Sequence, residues 1–409
     1  MRVILTGAAV VVLVVCIFLV RPGPVARVDD KVFDLLTGLV SRGKPSGRVV
    51  IVEIDEKSLA ELGRWPWPRD LLGLLVRRIL DRGAATVVLD MMFHEEDRGT
   101  PSARPAKGNA YLGSSTNDDV LAGVLSEKPV VLGYAFRFDG APASPSTCVL
   151  QPLPLAVIGP NESWGTAFFH APGALCSVPQ LSKAAAGNGF LNAAPDSDGK
   201  LRRVPLVMES GEQQYASLAL SAFNVYQRVS SMQLILNKRE ASRLRVGTQV
   251  IRLEGPSSMR LRFYGARRTF PYISAASVLK DRLPKEILQG KIAIIGGSAL
   301  GLPNPVVTAL DPQFPEVEVQ ATAIDNLLGE LRSIGPSISA FGSCSWRYLP
   351  ASRRPSCWRG FLPGGARLSY LALRPERGWA VSCYWPIQAS CSLRCRSVWP
   401  WRAFSRSSP

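Results

Sequence analysis

Between Arg48 and Asp90 the chain sets one amphipathic helix between two short β-branched runs, and that order restricts the fold to the α/β class. Arg48 to Glu53 reads RVVIVE, the continuous apolar run of a strand buried on both faces. Arg69 to Asp81 places Leu71, Leu72, Leu75, Val76, Ile79 and Leu80 on one helical face, with Arg77 and Arg78 outside. Gly83 stands where a C-terminal cap glycine belongs. Ala85 to Leu89 is a second apolar strand that ends at Asp90. Strand, helix and strand in this span predict a βαβ unit with parallel pairing and a right-handed crossover.

The rest of the body continues the theme. Asp119–Leu125, Tyr215–Tyr226, Ser274–Leu279 and Val317–Leu328 read as helices, with Ser274 as an N-cap. Pro129–Phe136, Val250–Leu253, Arg260–Tyr264 and Lys291–Ile295 read as strands. Asn188 to Leu206 predicts a β-hairpin turning at Asp198-Gly199. Residues 94–117 and 139–163 are rich in Gly, Ser and Pro and read as loops. The expected fold class is mixed α/β, a largely parallel sheet flanked by helices, with one N-terminal transmembrane helix.

That helix is read from Val3 to Val20, 18 residues without a charge, closed by Arg21-Pro22-Gly23-Pro24. A cleaved signal peptide is the rival, but no small-x-small site follows Val20, so an uncleaved anchor is favoured. The division expected is an anchor at 1–26, an extracytoplasmic body at 27–332 and an irregular tail at 333–409.

Charge and cysteine matter here because both concentrate in the tail. The net charge is +16, yet Phe341 to Pro409 holds eleven Arg, no Lys and one Glu, which is +10 of it. A basic excess confined to an unpatterned tail, with no reading motif beside it, argues against a nucleic-acid partner. Five of the eight cysteines and six of the nine tryptophans also lie there. Such a gain of Arg, Trp, Cys and Ser is what out-of-frame translation of a GC-rich gene yields, and the tail is expected to be a frameshift product; the rival is a genuine disordered tail, against which the six Trp argue. In the body only Cys148 and Cys176 remain, either paired as a disulfide or present as two thiols. The two histidines, His94 and His170, offer no zinc spacing, and no metal centre or cofactor is implied.

Several stretches, taken in order, resemble one known family. They are Ile51-Val52-Glu53-Ile54-Asp55 with Ser58-Leu59, Gly63 and Trp65-Pro66-Trp67-Pro68-Arg69; then Gly83-Ala84 through Leu89-Asp90 and Phe93. Gly189-Phe190 and Asp196-Ser197-Asp198-Gly199 with Arg202-Arg203 follow. Ile273-Ser274-Ala275 to Val278-Leu279, Gly290-Lys291 through Ile295-Gly296, and Ser298 to Leu302 complete the set. Over about residues 28–330 the chain resembles the CHASE domain of type 2, the extracellular sensory module associated with cyclases and histidine kinases. The resemblance implies a periplasmic sensor tethered to the bacterial cell membrane. Its stimulus would be an unidentified small molecule or ion, and it allows a homodimer. The output would be a cyclase or kinase domain outside this stretch, so no enzymatic activity is expected of the body itself. Four positions depart from the family pattern: Asn304 where Asp is usual, Ala309 where the Pro of Thr-Pro is usual, and Glu316 and Gln320 where Gly and His are usual. A ligand role for that corner therefore does not carry over.

Each candidate site residue has two readings. Asp55 and Asp90 end two strands; in the crevice of an α/β sheet they could hold a divalent cation, or each could cap the following turn. With a cation they would suit a metal-assisted hydrolase, the alternative to a sensor. Trp65, Trp67 and Arg69 could line a pocket for an anion or an apolar ligand, or form a stiff loop over the core. Arg202 and Arg203 fall on opposite faces of any strand, so at most one, taken as Arg203, points into a shared pocket. Asp196-Ser197-Asp198-Gly199 begins like a calcium loop, but Pro205 occupies the required glutamate position. Gly296-Gly297-Ser298-Ala299-Leu300-Gly301 lacks the Lys-Ser/Thr of a phosphate loop. No nucleophile motif or zinc-hydrolase motif occurs.

Overall fold

The computed structural model describes residues 30–32, 34, 43–97, 99, 116–126, 128–139, 148–229, 231–237, 242–297 and 305–329. The chain divides into two units, Met1–Ile334 and Gly335–Pro409, and every described residue belongs to the first. The apolar segment at 3–20, the loop at 298–304 and the Arg-rich tail lie outside the described residues. Among the described residues no helix is long and apolar enough to cross a membrane.

The chain opens with β1 (Val49–Ile54), α1 (Glu56–Leu62), α2 (Arg69–Asp81) and β2 (Thr86–Leu89). Next come α3 (Asn117–Leu125), β3 (Val130–Arg137), β4 (Leu155–Ile158), β5 (Phe169–His170) and β6 (Gly173–Leu175). Then follow α4 (Pro179–Ala184), β7 (Gly187–Phe190), β8 (Arg203–Pro205), β9 (Val207–Ser210), β10 (Gln213–Ala216) and α5 (Leu218–Gln227). The strands β11 (Met232–Ile235), β12 (Arg243–Val246), β13 (Gln249–Arg252), β14 (Ser258–Arg260) and β15 (Tyr272–Ser274) lead to α6 (Ala275–Leu279), β16 (Ile292–Gly297) and α7 (Glu316–Leu328).

The main sheet has the order β15-β1-β16-β2-β3-β6, with β7 also paired to β3. All its pairings are parallel except β3 with β6. Successive side chains of a strand face opposite sides, and both sides are filled. Val49, Ile51, Ile292 and Ile294 pack beneath α5 and α7. Val50, Val52, Ile54, Ala293 and Ile295 pack beneath α2, α3 and α6. This double burial is why β1 and β16 carry unbroken apolar runs instead of alternation.

The expected βαβ unit needs one correction. β1 and β2 are parallel and share a sheet, but they do not pair, because β16 lies between them and bonds to both. The hairpin expected at 188–206 is also corrected. Its first arm joins β3 as β7, and its second joins β14 as β8, so the two arms serve different sheets. Only the turn between them is as read, with Gly199 at φ 80° and its N–H donating to the Asp196 carbonyl at 2.8 Å. Cys148 and Cys176 form a disulfide, which settles the open pairing and ties the segment before β4 to the end of β6.

Candidate functional site

The parallel strands β1, β16 and β2 end together, and the carboxyl edge of the sheet gathers Asp55, Gly296, Asp90 and the start of α7. In open α/β sheets this edge is where ligands bind. The structure separates the two aspartates named from the sequence. With β16 between them, their backbones stand two strand spacings apart, about 9–10 Å.

Asp55 is engaged locally. Its carboxylate accepts from the Ser58 N–H at 2.8 Å, from the Ser58 hydroxyl at 2.5 Å and from the Ser274 hydroxyl at 3.0 Å. It is the N-cap of α1. Burial pulls its carboxyl up, but the Ser58 and Ser274 donors outweigh that and hold it below the usual range. Ser274, read from the sequence as the cap of α6, makes no cap hydrogen bond and serves Asp55 instead.

Asp90 differs. Its N–H donates to the Ile295 carbonyl at 2.9 Å, which seats it beside Gly296. Among the described residues its carboxylate has no hydrogen-bond or ion-pair partner, so it is not the cap that one reading offered. Burial first, and then the charge of Glu316, pushes Asp90 up to about 8. Burial also raises Glu316, the first residue of α7. Glu316 was not named as a site residue from the sequence, where it stood only as a departure from the family's usual Gly. The approach of α7 depends on Gly296: a Cβ there would fall 2.6 Å from Val317 Cγ2 and 3.5 Å from Asp90 Oδ2. The edge is therefore acidic and half-buried, and Asp90, pushed up to about 8, favours its protonated form at neutral pH. Among the described residues no group of three or more His, Cys, Asp or Glu is placed to hold a metal ion.

Trp65, Trp67 and Arg69 lie on the α2 side and turn inward. Trp67 is 3% exposed, and its indole N–H donates to the Gly63 carbonyl at 2.9 Å. Trp65 packs against it with ring centroids 6.1 Å apart. The buried Arg69 guanidinium bonds Asp118 of α3 and the Glu95 carbonyl, and sits 5.2 Å from the Phe93 ring centroid. Its backbone N–H donates to Asp97 at 3.0 Å. These contacts fasten α2, α3 and the loop after β2 to one another.

Arg203 belongs to a third group, remote in sequence from the sheet edge. It ion-pairs with Asp196 at 3.1 Å, Asp30 at 3.3 Å and Glu254 at 3.6 Å. Arg202, beside it, also reaches Asp196, at 3.0 Å. The expectation that at most one of the two enters a shared site is thus corrected. The chain is irregular at Arg202, and strand alternation begins only at β8.

At the opposite edge of the sheet the incoming chain meets the last described helix. The Asp325 carboxylate, in the final turn of α7, accepts from the Ser46 N–H at 3.1 Å and from the Ser46 hydroxyl. Ser46 lies just before β1, so α7 runs from the acidic edge at Glu316 to the chain that leads into β1.

No curated protein and no solved structure matches this chain. The family model of the CHASE2 domain matches residues 10–348, which is 339 of 409 residues. The chain belongs to the CHASE2 domain family of extracellular sensory domains.

Proposed function

We propose that this chain is the extracytoplasmic input domain of a bacterial transmembrane receptor, whose parent is an adenylate or guanylate cyclase or a sensor kinase. The segment at 3–20 holds it in the cell membrane, and the body faces the periplasm. The stimulus, a small molecule or an ion, acts at the acidic edge formed by Asp90 and Glu316.

The CHASE2 family match supports the sensory reading, and one contact supports the route by which a stimulus would act. The Ser46–Asp325 contact brings the chain just before β1 and the end of α7 to one pole, while the other end of α7 forms part of the acidic edge. A helix of 13 residues spans about 20 Å. A stimulus that favours one placement of the Glu316 turn thereby biases the far end of the same rigid element, which is population shift through a packed helix.

Alkaline phosphatase fused after residue 329 tests the placement. The reading expects an active enzyme in the membrane fraction. An inactive fusion in the cytosol would remove both the anchor and the extracytoplasmic body.

A further inference from the structure

The Arg202 guanidinium is 1% exposed, and all five of its N–H bonds are used. Nε and Nη2 donate to Asp34 at 2.8 and 2.7 Å. Nη1 and Nη2 donate to Asp198 at 2.9 and 2.6 Å, and Nη1 donates again to Asp196 at 3.0 Å. Two carboxylates are thus gripped bidentately and a third singly, the geometry that suits a guanidinium fork. Asp34 lies before β1, whereas Asp196 and Asp198 belong to the turn before β8. Lys200 adds a contact to Asp34 at 2.9 Å. Four residues back, Asp30 lies 3.3 Å from Arg203 and 3.7 Å from Arg260. The hydrogen bonds from Arg202 hold both Asp34 and Asp198 below the usual carboxylate range.

The backbone carries this grip onward. The Arg202 carbonyl accepts the Leu261 N–H at 2.8 Å. The next residue, Arg262, donates its N–H to Asn326 Oδ1 at 2.7 Å and accepts from Asn326 Nδ2 at 3.2 Å. Asn326 adjoins Asp325, the residue that holds Ser46. A continuous chain of short contacts therefore runs from Asp34 through Arg202 and the 261–262 segment to the last turn of α7.

We propose that Arg202 is a transmission clamp that couples the position of Asp34 to the last turn of α7. Moving Asp34 leaves two buried guanidinium donors without acceptors, which is costly in a desolvated site. The Arg202 backbone then shifts its bond to Leu261, and Arg262 passes the shift to Asn326. The use of this clamp in signalling rests on the sensory reading above. The coupling itself requires no stimulus, so the two fail separately.

The test is amide hydrogen exchange on the full chain in detergent, comparing wild type with Asp34→Asn. Exchange should rise about tenfold to hundredfold at residues 30–34, on the scale of lost charge-assisted hydrogen bonds. It should rise together at residues 324–328, while β16 amides keep their wild-type protection. Acceleration confined to 30–34 would make the clamp a local tether and overturn the proposal. Equal acceleration in β16 would make it a fold-wide fastener and overturn the proposal as well, and no change anywhere would also refute it. If Asp34→Asn does not fold, Asp30→Asn is measured instead. It loses only half-buried rim contacts, and the paired rise should appear at smaller amplitude; its absence at 324–328 refutes the coupling.

Discussion

Replacing Asp90 by Asn should remove a pH dependence of stability from the protein. In the folded chain Asp90 titrates at about 8, against an ordinary value of 3.8. Between those limits the folded state keeps a proton that the unfolded state has released. Stability therefore falls as pH rises, by about 1.4 kcal/mol per pH unit for one proton. From about pH 5 to pH 7.5 the loss amounts to about 3 kcal/mol. The contribution is whole below the unfolded pKa and is lost by the time pH has passed the folded one. Asp34, Asp55 and Asp198 shift in the opposite direction, so their slopes lie below their ordinary values and outside this window. Glu316, raised by burial, adds a slope of the same sign as Asp90. Asn carries no titrating proton, so Asp90→Asn should flatten the curve and be the more stable protein near pH 8. The assay is urea unfolding of the detergent-solubilised chain, followed by circular dichroism across this window. Wild-type and Asp90→Asn curves that run parallel would refute the placement of Asp90 in a desolvated site facing Glu316.

Three other outcomes are expected. Arg69→Ala should lower stability by about 3–5 kcal/mol, because it removes the charge partner of the buried Asp118 carboxylate and leaves it only the Asp97 N–H; thermal unfolding measures this, and a loss under about 1 kcal/mol contradicts the fastener role. Gly296→Ala drives a methyl into Val317 and should cost about 1–3 kcal/mol, with faster amide exchange confined to the first turn of α7. Cys176→Ser opens a loop of 28 residues and should cost about 3–4 kcal/mol, read as a lower urea midpoint under oxidising conditions.

Elements with strong periodicity were legible in the sequence. The helix at Arg69–Asp81 has the bounds its apolar face predicts, and α7 begins one residue before its expected start. The apolar runs of β1, β2 and β16 announced strands covered on both faces. Short strands were not legible: Leu155–Ile158 and Met232–Ile235 have four residues each, too few for alternation to stand out. Tyr215 and Ala216 carry apolar character continuous with α5, yet they pair with β9, and Ser217 caps the helix after them. At the acidic edge Asp90 could be read from its place at a strand end. Glu316 could not, because its significance arises from α7 closing over Gly296. The clamp was hidden for the same reason: Asp34 and Arg202 are separated by 168 positions and meet only in the finished fold.

The insertion of β16 between β1 and β2 bears on how the protein is made. The middle strand of the sheet comes from residues 292–297, whereas its neighbours come from 49–54 and 86–89. During synthesis the facing edges of those early strands stay open until nearly the whole body has emerged. Distant pairing of this kind slows closure, and open edges recruit foreign strands. Export of such a chain across a membrane, as the proposed function requires, would depend on escort by holdase chaperones until its latest strand arrives to seal the gap.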